Sequence, residues 1–155
     1  MFDDKKLNEL ATEAFDTANK HGLCEAEDVN VYVCGIAGEV AEAFDAWNKN
    51  LHTEDEELAD VIIRCLTTAK KFNVHLFTAH IYANEKSRTT FPGICMRAYQ
   101  LIGEVSVNHI PDLGMGLSCI IAFLLDVKPE LEEVVIQKMQ YNKTRPFKHG
   151  QNKIV

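Results

Sequence analysis

Two pairs of acids stand out by type and spacing: Glu39 with Glu42, and Glu57 with Asp60, each i and i+3 apart. Residues three apart on a helix are neighbours on its surface. At about 100° per residue, the stretch 31–49 puts Val33, Ile36, Ala37, Val40, Phe44 and Trp47 on one apolar face. Glu39 and Glu42 fall on another side, shared with Gly35 and Ala46, with Gly38 at its edge. The stretch 53–72 repeats the arrangement. Leu58, Ile62, Cys65, Leu66 and Ala69 make its apolar face, while Glu57 and Asp60 lie off it and Arg64 follows one turn later. Packed antiparallel across a short connection, the two helices would bring four carboxylates together. Like charges at close range raise one another's pKa, and a divalent cation relieves the conflict. An all-oxygen ligand set selects Mg²⁺ or Mn²⁺ over zinc and leaves positions for water and phosphate oxygen. The same spacing also fits a solvated helix face, with Asp60 and Arg64 as an i, i+4 ion pair of small energetic weight.

A second set lies near the other end of the chain. Lys138 and Arg145 are i and i+7, with Asn142 between them, so one helical face would carry all three. The two cations suit phosphate oxygens, and the amide suits a sugar or base. A solvated helix end, favoured by the macrodipole, fits Lys138 and Arg145 equally well. Trp47, the one tryptophan, closes the apolar stripe of its helix, and its ring would also suit a stacked nucleobase. The histidines show no ligand spacing, although His149 could approach a phosphate from the tail.

The elements that must position these groups read as helices throughout. The 155 residues suit a single domain, 1–155, with a sizeable core. A composition 46% hydrophobic and 25% charged excludes disorder as the main state. A net charge of −7 argues against nucleic acid as a partner, which would want a basic face, but not against a small phosphorylated ligand held through a cation. Apolar periodicity predicts an all-α fold of about seven helices, near 4–20, 31–49, 53–72, 75–87, 92–108, 112–127 and 129–144. His21-Gly22 signals a helix end, Thr53 with Glu56 a capping box, and Pro92 a helix start. A polar tail, 146–155, follows.

The chain also echoes itself. GIAGEVAEAF at 35–44 returns as QLIGEVSVNH at 100–109, and the apolar pattern of 58–84 returns at 116–142. This self-similarity suggests two diverged helical repeats, about 30–88 and 95–145. Five cysteines (Cys24, Cys34, Cys65, Cys95, Cys119), odd in number and without C-x-x-C spacing, read as reduced core thiols. The charged start MFDDKKLNEL is no signal peptide, and the longest apolar run, 117–125, is too short for a bilayer. The expectation is a cytoplasmic protein with no membrane partner.

Glu39-x-x-Glu42 followed by Glu57-x-x-Asp60 resembles the E-x-x-E…E-x-x-D signature of the all-α nucleoside triphosphate pyrophosphohydrolases, the MazG-like superfamily. The flanks GEVAEAFDAW and EELADVIIRCL agree, and KMQYNKTRPFKHG at 138–150 resembles that family's K-x-x-x-N-x-x-R ending. One departure is the distance of Lys138 from Asp60, and the repeat offers a reason for it. Glu104 keeps the first acid of the second copy, whereas Val107, Met115 and Ser118 replace the other three. That division, acids in one half and basic ending in the other, resembles the dimeric dUTPases.

The resemblance implies a MazG-like helical bundle and a homo-oligomer, a dimer. It implies one Mg²⁺ (or Mn²⁺) site of Glu39, Glu42, Glu57 and Asp60, with substrate contacts from Lys138, Asn142 and Arg145. It also implies hydrolysis of a nucleoside triphosphate to monophosphate and pyrophosphate, with Glu42 or Glu39 orienting the attacking water. Two other readings stay open. One is a pyrophosphohydrolase for phosphoribosyl-ATP or a damaged nucleotide. The other is a helical protein that binds nucleotide without cleaving it, or a scaffold whose acids are merely solvated.

Overall fold

The computed structural model describes residues 2–79 and 90–147. Six α-helices and no strand occur among them. They are α1 (Asp4–Lys20), α2 (Val29–Asn48), α3 (Glu54–Lys71), α4 (Phe91–Gly103), α5 (Ile110–Val127) and α6 (Leu131–Asn142). The all-α expectation holds at this level.

The first three helices end by one device. After α1, Gly22 takes φ 71°, its N–H bonds the Asn19 carbonyl at 3.0 Å, and Leu23 N–H bonds Ala18 at 3.0 Å. After α2, Asn50 takes φ 53°, and Leu51 N–H reaches Ala46 at 2.9 Å. After α3, Asn73 takes φ 53°, and Val74 N–H reaches Ala69 at 2.9 Å. These are Schellman caps, with a left-handed Gly or Asn followed by an apolar residue. Starts are less uniform. Asp3 and Thr90 cap α1 and α4 with their side chains. Thr53 occupies the N-cap of α3 but makes no side-chain cap bond, so the expected capping box is not formed.

Helix α3 is the centre of the bundle, in contact with α1, α2, α5 and α6. Its Leu58, Ala59, Val61, Ile62, Cys65, Leu66 and Ala69 are fully buried. Each large aliphatic side chain there stabilises the fold by about 1.5–3 kcal/mol. Helix α2 lies against α3 and α4. Gly35 of α2 faces Arg64 of α3, while Glu42 gathers with Glu57, so α2 and α3 run antiparallel. The buried side of α2 is Ile36, Glu39, Val40, Ala43 and Ala46, and Phe44 and Trp47, expected in the core, are 40% and 39% exposed.

Three helix expectations need correction. The helix expected over 75–87 is absent over 74–79, and its remainder, with His80 and Asn84, lies outside the described residues. The backbone there is held by side chains instead of by helical bonds. Asn8 donates to the Leu76 carbonyl at 2.7 Å and accepts from Leu76 N–H at 3.0 Å, while Ser118 Oγ and Asp4 accept from the N–H groups of Phe77 and Thr78. The helix expected over 92–108 stops at Gly103, where a Val-Ser-Val run precedes the next start at Ile110-Pro111. Pro111 sits in the first turn of α5, where its missing N–H costs no helical bond, and so marks a new helix start. The helix expected over 129–144 ends at Asn142, leaving Arg145 beyond it.

Helix α5, at 18 residues, is long and apolar enough to cross a membrane by length and composition. In this fold it packs against α3 and α4, with Leu113, Leu117, Ile120, Ile121, Phe123 and Leu124 buried. All five cysteines are free thiols. Cys24, Cys65 and Cys95 are buried, Cys119 is half-buried, and Cys34 is exposed, contrary to the expected core placement.

Candidate functional site

The acids of α2 and α3 meet. Ligand oxygens of Glu39, Glu42 and Glu57 all lie within 4.8 Å of one another. Glu39 is buried, Glu57 half-buried and Glu42 exposed, so the group slopes from the helix interface out to solvent. Glu57 belongs to the acidic first turn of α3, where Glu54, Asp55, Glu56 and Glu57 face the positive end of the helix dipole.

Asp60 lies beside that trio but has a partner of its own. Its carboxylate accepts an ion pair from Lys138 of α6 at 3.0 Å, and the same ammonium lies 3.7 Å from Glu56. Arg64 does not pair with Asp60, as an i, i+4 reading would have it. Its Nε instead donates to Oε1 of Glu39 across the α2–α3 interface. Two cations built into the fold therefore hold two of the four acids. When all four carboxylates are ionised, Arg64 and Lys138 leave two negative charges without a protein counter-ion. A single divalent cation matches that deficit, and the donors are all carboxylate oxygens, which suits Mg²⁺ or Mn²⁺. The residues present fit such an ion.

Burial raises the Glu57 carboxyl above its ordinary range; Lys138 opposes the rise, and Asp60, Glu42 and Glu39 add to it. Burial raises Asp60 as well, against the pull of Lys138. For Lys138, burial works against the charged form, but Asp60, Glu57 and Glu56 overcome it and the ammonium is held above its usual value.

These groups line one cavity of about 780 Å³. Its acidic wall is Glu39, Glu42, Glu57 and Asp60, with Arg64 beside them. Lys138, Tyr141, Asn142 and Arg145 close the side facing α6. Much of the remaining wall comes from α1, the α1–α2 connection and the first turn of α2, through Ala14, Thr17, Ala18, His21, Leu23, Ala26, Val31 and Tyr32. That connection is tied to the end of α3. Tyr32 donates its hydroxyl to the Ala26 carbonyl at 2.9 Å and packs edge-on against Phe72, and Lys71 donates to the Cys24 carbonyl at 3.2 Å. The Arg145 guanidinium sits 5.9 Å from the Tyr141 ring centre. Asn142 Oδ1 is buried in the cavity wall with no hydrogen-bond partner, an acceptor that a ligand donor would satisfy.

Seven of the eight residues expected at the site thus border one space. Trp47 does not: its ring stacks on Phe91 at 6.0 Å and leans on Phe44 at 5.8 Å, away from the cavity lining. His149 lies outside the described residues. Sequence reasoning passed over His21, Tyr32 and Tyr141. No spacing rule signals that the α1–α2 connection folds over the acids, because that follows from tertiary packing. None of the known protein families, characterised proteins or solved structures compared with this chain matches it.

Proposed function

We propose that the chain is a Mg²⁺-dependent nucleoside triphosphate pyrophosphohydrolase of the MazG-like type. The observation that carries this reading is the cavity with two unlike walls: carboxylates converging within 4.8 Å on one side, Lys138, Asn142 and Arg145 on the other. A triphosphate needs both. When bound, a divalent cation would neutralise charge on the phosphate oxygens.

The chain's own residues do the rest. Glu39, Glu42 and Glu57 would hold the cation, with Asp60 as the fourth acid of the set. Lys138 and Arg145 meet phosphate oxygens, and Asn142 meets the sugar or base. Glu42, the exposed member of the trio, orients a water against the α-phosphorus and accepts its proton. The new bond joins water oxygen to the α-phosphorus, the bond from the α-phosphorus to the bridging oxygen breaks, and pyrophosphate leaves with the electron pair. The same reading carries the expectation of a homodimer, which light scattering checks.

The test is a panel of nucleoside and deoxynucleoside triphosphates incubated with Mg²⁺, with products identified by chromatography. Monophosphate and pyrophosphate are expected from at least one member. A folded protein that releases neither from any member overturns the reading.

A further inference from the structure

Asp60 already has a cation. Lys138 Nζ lies 3.0 Å from its carboxylate, and the two side chains are only 14% and 21% exposed. The pair joins α6 to α3, and so ties the cationic wall of the cavity directly to the acidic one. Asp60 lines the same cavity as Glu39, Glu42 and Glu57, but its carboxylate faces the ammonium and it is not among the three acids whose oxygens lie within 4.8 Å of one another.

A divalent cation arriving at Asp60 would repel this nearly buried ammonium more strongly than it would the half-solvated Arg64 on Glu39, because the charge of Lys138 is less screened by water. Yet a buried ammonium does not leave its carboxylate for nothing; an uncompensated charge there is costly. Another anion must receive it. A phosphate chain is such an anion, and the flexible four-carbon stem of lysine allows the transfer. We propose that Lys138 is a resident counter-ion that competes with the divalent cation for Asp60 and passes to the phosphate chain on binding. Cation and polyphosphate then load the site together, each relieving the charge the other leaves behind. This inference rests on the proposed reading of the cavity as a cation and polyphosphate site.

Binding measurements on the full chain test it without turnover. Lys138→Met removes the charge and keeps the stem. Mn²⁺ alone, followed by electron paramagnetic resonance, should bind this variant about tenfold more tightly than the parent, the scale of one partly screened unit charge removed nearby. Inorganic pyrophosphate in EDTA, followed by calorimetry, should bind it more weakly. Asp60→Asn should do the reverse, weakening Mn²⁺ and strengthening metal-free pyrophosphate by freeing Lys138. In the Asp60→Asn background, Lys138→Met should lose most of its effect on Mn²⁺. A merely structural role for the pair would weaken both ligands in both variants. Lys138→Gln serves if Lys138→Met does not fold. Mn²⁺ affinity unchanged or reduced in a folded Lys138 variant overturns the proposal. If the parent binds Mn²⁺ and cleaves nucleotide all the same, the counter-ion inference alone has failed. A parent that binds no Mn²⁺ sinks both.

Discussion

Arg64 crosses from α3 to α2 over Gly35 and gives its Nε–H to Oε1 of Glu39, a member of the acidic trio. A side chain at position 35 would put its first carbon 3.2 Å from the guanidinium, so the glycine makes room for the crossing. Glu39 is 10% exposed and Arg64 is 52% exposed, an asymmetric pair. Removing the arginine strands a nearly buried carboxylate. Arg64→Met is therefore expected to destabilise the metal-free protein by about 1–2 kcal/mol, less than for a fully buried pair because the guanidinium is half solvated. Added Mg²⁺ should offset part of the loss, since the ion supplies a new counter-charge. Urea unfolding in EDTA and in Mg²⁺ measures both. A loss that Mg²⁺ leaves untouched would show that Glu39 does not meet the ion.

Glu57 sets a pH dependence of unusual sign. Burial raises its carboxyl, Lys138 opposes, and the three neighbouring acids add to the rise. The folded metal-free state therefore holds this proton more firmly than the unfolded chain does. Stability from this group is fullest below the ordinary glutamate value of 4.5 and declines as pH rises through the raised folded value. Replacing it by a neutral isostere removes the penalty. In EDTA at neutral pH, Glu57→Gln should melt higher than the parent, and the gap should close as pH falls toward 4.5. In Mg²⁺ the order should narrow or reverse, because the parent gains binding free energy that the variant lacks. Thermal melts across pH with and without Mg²⁺ give the answer; a gap independent of pH rules this account out.

Trp47 stacks on Phe91 with an interplanar angle of 13°, at the contact of α2 with α4. It is absent from the cavity lining. Trp47→Ala is therefore expected to leave kcat/KM for nucleotide within about threefold of the parent, while Arg145→Ala lowers it at least about tenfold through lost phosphate contact. The cost of Trp47→Ala should fall on stability, as lost aromatic packing at a half-exposed site. Steady-state kinetics of the two variants side by side separates a structural ring from a substrate platform.

The acids were legible in the sequence because i, i+3 spacing on two neighbouring helices survives any reasonable packing of those helices. Lys138 and Asn142 were legible for the same reason, lying one turn apart on α6. Arg145 reaches the cavity by another route, from the turn after that helix. The Trp47 position was misread because a wheel assigns one apolar face, whereas α2 touches both α3 and α4 and counts Glu39 among its buried residues. Two of the three left-handed helix ends were missed where Asn50 and Asn73 do the work that Gly22 does visibly. The extended stretch at 74–79 was beyond reach of periodicity. Its backbone is paired by Asn8, Ser118 and Asp4, each more than 40 positions away.

That extended stretch makes a sharp demand on α5. A carbon added at Gly114 would stand 2.6 Å from the backbone carbonyl oxygen of His75, a contact that neither helix nor backbone relieves without moving. His75 precedes Leu76, whose N–H and carbonyl are both held by Asn8, so the segment has little freedom to retreat. Gly38 offers the opposite case: it is exposed in mid-helix, and nothing lies within 4 Å of an added carbon. Gly114→Ala is expected to cost about 1–3 kcal/mol through overpacking. Gly38→Ala should stabilise by about 0.5–1 kcal/mol through reduced backbone freedom in the unfolded chain. Both substitutions add one methyl to a helical glycine, so helix propensity alone predicts the same sign for each. Chemical denaturation of the two variants decides. Equal stabilisation would mean that residues 74–79 do not lie against α5.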